Sequence, residues 1–400
     1  METEANKIIK QPSYRFAGYT EPWEEKKLGE VAEVNPKSVV PDEFKYVDLG
    51  AVVGTEMVSY RNETISTSPS RAQRLAIKGD IFYQTVRPYQ KNNYLFEKDD
   101  NDYVFSTGYA QLRPSGDGCF LLSYLQTNKF VNVVLDNCTG TSYPAINSKD
   151  LSDIFISLPT LSEQTAIGSF FQDIDQLISL QQRKLEVLKE QKKTYLKLLF
   201  PEKGQTKPAL RFAGFEDDWK EVKLGEIADI LGGNAWKSNT YSEKGRYLII
   251  TISNVKGDEY IDDSYGNRID TNDMKFVLSK DDILISMTGN VGRVSKMTVE
   301  DAVLNQRIAK IVTTSDSEFI YTVLSDSKFE NQMILSSQGA AQANISNKDI
   351  LSYKLLLPTL EEQTIIGNLF RNLDDSITQH QTKLNRIKEI KQTFLKKMFI

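Results

Sequence analysis

A chain of 400 residues with 40% hydrophobic and 26% charged residues has the composition of a globular protein with more than one domain. Its formal net charge of −5 argues against a surface coated in basic groups for indiscriminate nucleic-acid binding, while leaving room for local basic patches or a partner that supplies positive charge. One histidine and two cysteines (Cys119 and Cys138) give no basis for a His-rich metal site, a Ser-His-Asp triad or a disulfide framework, and they suggest a reducing cytoplasm.

Residues 1–21 read as a lead-in. Its start, METEANKIIK, lacks the apolar stretch of a signal peptide, and apolar runs such as YLIITI are too short to span a bilayer, so no membrane is expected. Residues 22–157 follow as a first domain. The runs KYVDLGAVV and GDIFYQTV, rich in β-branched and aromatic residues and bounded by Gly, Asn, Asp and Pro, predict strands. CFLLSYLQTNKFVNVVL predicts an amphipathic helix, which makes the domain mixed α/β. The loop after the K-x-D-I start of this second strand offers Tyr83, Gln84, Arg87, Tyr89, Lys91 and Asn92, and further along come Ser106, Thr107 and Tyr109.

Residues 158–200 predict a long helix. Thr160 and Glu163 are spaced as a capping box. Ile167, Phe171, Ile174, Ile178, Gln181, Leu185, Leu188, Lys192, Tyr195 and Leu199 then step by three and four in a heptad seam. About 37 residues at 1.5 Å per residue give a rod of roughly 55 Å. Acids gather early and lysines late, as the helix dipole favours. Residues 201–217, with two prolines and two glycines in PEKGQTKPALRFAGF, predict a linker.

Residues 218–356 predict a second domain of the same class. YLIITISNV, DDILISM and RIAKIVTT predict strands, and SEFIYTVLSDSKFENQMIL a helix. Its candidate loops offer Ser286, Thr288, Asn290 and Arg293, then Asn305, Gln306 and Arg307. Arg, Asn, Gln, Lys, Ser and Thr are the side chains that base-edge and phosphate contacts need. Residues 357–400 repeat the helix pattern, with Thr359 and Glu362 at the cap. Ile366, Phe370, Leu373, Ile377, His380, Leu384, Ile387, Lys391, Phe394 and Met398 form its seam.

The two halves are copies. LPTLSEQTAIGSFF at Leu158 and LPTLEEQTIIGNLF at Leu357 are identical at ten of fourteen positions. YRFAGYTEPWEEKKLGEVAEV aligns with LRFAGFEDDWKEVKLGEIADI. GTSYPAINSKDLSDIFISLPTLSEQ aligns with GAAQANISNKDILSYKLLLPTLEEQ. Between these ends the similarity fades: KGDIFYQTVRPYQKNN and KDDILISMTGNVGRVS share little beyond their start. A duplicated scaffold with divergent centres suits one task performed on two targets. Trp23 and Trp219, at equivalent positions, read as core anchors. Each apolar helix stripe must be covered, either by its own domain or by its copy. The sustained heptads favour an antiparallel coiled coil with the two domains related by a pseudo-two-fold axis. Gln181, His380, Lys192 and Lys391 then serve as register-fixing polar seam positions, and His380 is structural.

No chemistry is visible. The chain lacks GxxxxGK[ST], GxSxG, HExxH, the Asp/Asn-Pro-Pro-Tyr/Phe motif of amino methyltransferases and a glycine-rich cofactor loop. PDEFK at Pro41 has its acidic residues adjacent, where a PD…(D/E)xK nuclease needs them on separate strands. The chain therefore reads as a binding protein or as a subunit that lends specificity to catalytic partners.

Two divergent domains, each introduced by an RFAGF-type segment and followed by an LPTLxEQxxIxxxF helix, resemble the specificity subunit of type I restriction-modification systems. The resemblance covers essentially the whole chain. It implies two target recognition domains, each reading one half of a split sequence in double-stranded DNA, on an antiparallel coiled coil that sets the unread gap. It implies two methyltransferase subunits docked on that frame, here through Ile167, Phe171, Ile174, Ile178, Leu185, Leu188, Ile366, Phe370, Leu373, Ile377, Leu384 and Ile387. It further implies two restriction subunits, no catalytic residue and no cofactor in this chain, and S-adenosylmethionine, ATP and Mg used by the partners.

Overall fold

The computed structural model describes residues 11–298, 300–337 and 343–400. METEANKIIK, the first ten residues of the lead-in, lies outside them, as does Gly339–Gln342 at the start of the second copy of the GTSYP-type repeat. The chain divides into two units: Met1–Gln182 with Thr382–Ile400, and Arg183–Gln381. The division cuts both long helices, so each helix contributes one half to each unit.

Both units build the same two four-stranded sheets in the same order. In the first unit, Arg61–Thr64, Glu43–Val47, Tyr103–Ser106 and Ala72–Leu75 lie side by side in that order. Glu43–Val47 and Tyr103–Ser106 run parallel. A second, antiparallel sheet has the order Ala32–Val34, Tyr109–Pro114, Ile81–Gln84, Tyr94–Leu95. The second unit repeats both. One sheet runs Arg268–Ile269, Tyr247–Ile250, Ala302–Leu304, Val277–Leu278; the other runs Ala228–Gly232, Ile308–Thr313, Ile283–Ser286, Val294–Lys296. A two-stranded pair closes each domain onto its helix: Glu24–Lys27 with Phe155–Leu158, and Lys220–Lys223 with Lys354–Leu357. All five predicted strand runs contain strands. Each predicted amphipathic helix is instead two helices. Gly118–Leu125 gives way to Asn128–Asp136 where the Thr127 hydroxyl accepts the Phe130 N–H, and Ser317–Leu324 gives way to Ser327–Ser336 at Asp326.

The long helices span Leu161–Leu198 and Leu360–Lys397, 38 residues each. The expected capping box is half present. Thr160 Oγ1 accepts the Glu163 N–H at 3.4 Å, and Thr359 does the same for Glu362. The glutamate does not turn back to its cap, because an arginine takes it. Arg15 donates to both Glu163 oxygens at 2.7 Å, and Arg211 to both Glu362 oxygens at 2.8 Å. The next residue ties helix to domain: Gln363 Nε2 donates to Pro358 O at 2.9 Å while its Oε1 accepts the Asp316 N–H at 3.1 Å. One turn on, Gly168 and Gly367 sit against the capped ends of Gly118–Leu125 and Ser317–Leu324, where a Cβ would overlap Asp117 or Asp316. Thus the EQ dipeptide and the glycine of the repeated phrase each have a packing task.

Within each unit the helix halves run antiparallel. In the first, Lys391 Nζ meets Asp175 at 2.5 Å, and the Phe170 and Phe394 rings lie 5.0 Å apart. In the second, Lys192 Nζ meets Asp374 at 2.5 Å. Two of the polar seam positions are therefore lysines paired with aspartates, an arrangement that penalises a slipped register. The helix ends also complete the cores. Phe399 lies 6.3 Å from Trp23, 5.5 Å from Phe120 and 5.6 Å from Phe171. Phe200 takes the matching place among Trp219, Phe319 and Phe370 at 5.8, 5.6 and 5.9 Å. Full burial of a phenylalanine is worth about 1.5–3 kcal/mol, which Phe399 approaches and the half-buried Phe200 gains in part, so each unit draws stability from the far end of the helix that starts in the other.

Candidate nucleic-acid interface

In each unit the fold brings three loops together at one end of the antiparallel sheet. Tyr109 pairs with Gln84, so the segments Thr85–Asn93 and Ser106–Gly108 leave the sheet side by side, and Thr85 N donates to Gly108 O at 3.0 Å. A third segment, Thr139–Ala145, joins them. Val86 bridges Ala145, Arg87 N donates to Pro144 O at 2.7 Å, and Ile146 N to Thr85 O at 3.1 Å. The second unit makes the equivalent bonds: Met287 N to Arg307 O at 3.0 Å, Gly289 N to Ala343 O at 2.9 Å, Ile345 N to Met287 O at 3.0 Å, with Thr288 bridging Asn344. The backbone frame is shared and the side chains on it are not.

Five candidates must be withdrawn, because they are buried and cannot reach a ligand. Tyr83, Gln84, Ser106, Tyr109 and Ser286 are each at most 4% exposed. Strands Ile81–Gln84 and Ile283–Ser286 are covered on both faces, so alternation puts no side chain in solvent. Burial pushes the Tyr83 and Tyr109 hydroxyls well above the usual phenol range. Gln84 Nε2 donates to Val86 O and Gln90 Oε1, and Ser286 Oγ to Asn290 O, so both shape the loops from inside. Lys91 and Asn92 are anchors as well: Lys91 Nζ donates to Gln126 O at 2.8 Å and to Asn128 Oδ1, and Asn92 Oδ1 accepts the Gly54 N–H. Burial lowers the Lys91 pKa.

What remains accessible differs between the units. The first shows Arg87, Tyr89 and Thr107. The second shows Thr288, Asn290, Asn305, Gln306 and Arg307, with Arg293 at 3.5 Å from Glu330. One residue was missed by sequence reasoning. Tyr143 is 66% exposed, and the Arg87 guanidinium lies over its ring at 5.0 Å from the centroid. It lies in a stretch read as constant; the available signal was the replacement of TSYP by AAQA within it.

Arg87 also carries an unusual backbone. Its φ is 54° and ψ 56°, the left-handed conformation, at a cost of about 1–2 kcal/mol for a residue with a Cβ. The residue making the same backbone bond in the second unit is Gly289, with φ 72°. The turn thus calls for glycine, and the first unit carries arginine there all the same.

The seam residues assigned to partner docking are largely enclosed too. Ile167, Phe171, Ile174, Leu185, Leu188, Ile366, Phe370 and Leu384 are buried, and Ile178, Leu373, Ile377 and Ile387 are half-buried. They face into the protein because the seam is what holds the helix pair, so another chain would meet the outer faces. There Leu177, Leu180 and Val187 of the first helix are exposed. Among the described residues no helix is long and apolar enough to cross a membrane.

Comparison with known proteins agrees with this architecture. A sequence profile for the type I restriction modification DNA specificity domain matches residues 20–190 and again 216–389, which are the two copies of the repeat. The MjaVIII type I restriction enzyme specificity subunit of Methanocaldococcus jannaschii is 27% identical over 280 residues, 64% of either chain. The EcoBI specificity subunit of Escherichia coli is 22% identical over 301 residues, covering 68% of this chain and 63% of that one. The chain thus spans somewhat less than two thirds of these relatives' length. The crystal structure of a type I restriction-modification system S subunit from M. genitalium shares the fold with a TM-score of 0.68 at 17% identity, covering 98% of this chain and 99% of that chain. With both copies of the repeat matched and the fold shared along its length, the chain belongs to the type I restriction-modification DNA specificity family.

Proposed function

We propose that the chain is the sequence-reading subunit of a type I restriction-modification complex, and that each loop cluster reads one half of a bipartite site in double-stranded DNA. The observation that carries this is the shared backbone frame with divergent side chains: Arg87, Tyr89 and Tyr143 on one copy, Asn290, Gln306 and Arg307 on the other. A frame held constant while its exposed groups change is what two different half-sites on one scaffold require. Each good base-edge contact discriminates by roughly 1–3 kcal/mol, and joining two readers on one chain makes the second contact effectively intramolecular. In this reading the chain does no chemistry. Methyltransferase and restriction subunits, two of each, supply it with S-adenosylmethionine, ATP and Mg. They also supply positive surface that offsets the chain's net charge of −5, and the complex works in the cytoplasm.

The test is exchange. Residues 22–157 are replaced by the corresponding domain of another family member, the chain is assembled with its methyltransferase subunits, and the methylated motif is sequenced. One half of the motif should change and the other should persist. A change in both halves, in neither, or an assembled complex without sequence preference would refute the reading.

A further inference from the structure

The Arg87 site supports a sharper statement, which rests on the DNA-reading function proposed above. We propose that Arg87, steadied by Tyr143, reads a guanine in the half-site recognised by the first unit. Three independent features converge on it. The turn is built for glycine, as Gly289 in the second unit shows, so the arginine is not there for the backbone's sake. Its main chain is fixed by the bond to Pro144 O and the adjoining Val86–Ala145 bridge, so the start of the side chain is not free to wander. Its guanidinium lies over the exposed ring of Tyr143, which leaves the planar edge of the fork free to donate.

A guanidinium pre-ordered in this way matches the paired acceptors of guanine, O6 and N7, in the major groove. Holding it before DNA arrives removes part of the side-chain entropy cost of the contact. Its neighbours leave Arg87 as the one cation of this loop able to do so, since Lys91 is tethered to Gln126 and Asn128. The second unit, with Gly289 at the matching place, has no side chain there. The two half-sites therefore differ at this position because one reader has a fork and the other has none.

The experiment uses the full chain assembled with its methyltransferase subunits, on a library of duplexes randomised within both half-sites. Arg87→Gly restores the residue that the copy carries, so the turn is retained. The half-site that changes when residues 22–157 are exchanged should contain a guanine. Arg87→Gly should reduce the preference for it roughly ten- to a hundredfold, with every other position intact. Tyr143→Ala should weaken the same position less, and Tyr143→Phe should keep it. The dependence of affinity on salt should barely move. An unchanged preference in Arg87→Gly would overturn the inference. So would a uniform loss over all sequences with the salt slope reduced by about one, since that is a phosphate contact. A native complex with no sequence preference at all would refute DNA reading itself, and so separates the two failures.

Discussion

Arg15 and Glu163, 148 residues apart, meet in a two-pronged ion pair with both contacts at 2.7 Å. The Glu163 side chain is fully buried and that of Arg15 is 11% exposed. The hydrogen bond to Glu163 holds the Arg15 guanidinium above its ordinary pKa against the opposing effect of burial. The repeat's two phrases, RFAG and LPTLxEQ, are thereby two sides of one clasp, and Arg211 with Glu362 is its copy. Removing one partner strands a buried charge, which costs about 3–5 kcal/mol. Arg15→Met should therefore lower the denaturation midpoint markedly, and the double variant Arg15→Met/Glu163→Met should recover most of the loss. A single variant as stable as the parent would show the clasp to be idle.

Gly367 makes a prediction of opposite sign to helix propensity. Alanine for glycine inside a helix normally gains about 1 kcal/mol. Here the new Cβ would stand 2.5 Å from Asp316 Oδ1 and 2.9 Å from Phe319 N, the two atoms that cap the neighbouring helix. Gly367→Ala should lose about 1–3 kcal/mol in chemical denaturation. A gain would mean that the packing yields.

Asp374 gives the chain a pH dependence. Burial holds its carboxyl above the ordinary carboxylate value, although Lys192 pulls the other way. The folded state binds this proton more tightly than the unfolded chain does. Its contribution is full below the unfolded value and is lost as pH rises through the folded one. Asp374→Asn removes the dependence. The variant's stability relative to the parent should accordingly climb with pH above the ordinary carboxylate range, by no more than about 1.4 kcal/mol per pH unit. Denaturation curves along a pH series check the slope; a flat or falling difference contradicts it.

Tyr83 tests the narrowing of the interface. Its hydroxyl is buried and lacks a hydrogen-bond partner among the described residues. Tyr83→Phe should be neutral or stabilising by about 1 kcal/mol, and the methylated motif should stay the same. A changed motif would return Tyr83 to the proposed interface.

The duplication was legible as identity between distant segments, and the long helices and strand runs because their signals are local: a 3.5-residue period and β-branched clusters. Burial at strand ends was not. Tyr83 and Ser286 look like loop residues until both faces of their strands are seen to be covered. The break at Thr127 hides because QTN lies inside an apolar pattern that continues on both sides of it. The true partner of each capping-box glutamate is invisible locally, since nothing near it announces an arginine about 150 residues earlier. Tyr143 is hidden in the sequence because the stretch around it recurs in both copies of the repeat, which points to a structural role.

The place of Phe399 bears on the order in which the chain can mature. It lies among Trp23, Phe120, Tyr124 and Phe171, and Tyr14 N binds Lys397 O at 3.0 Å. A ribosome releases residues 11–182 long before it has made Lys397 and Phe399. The first unit therefore waits, with part of its interior uncovered, through the synthesis of the whole second domain. A premature stop shortly before Phe394 would leave residues 183–381 complete and damage the first unit, so a lesion late in the coding sequence would strike the domain that is made first.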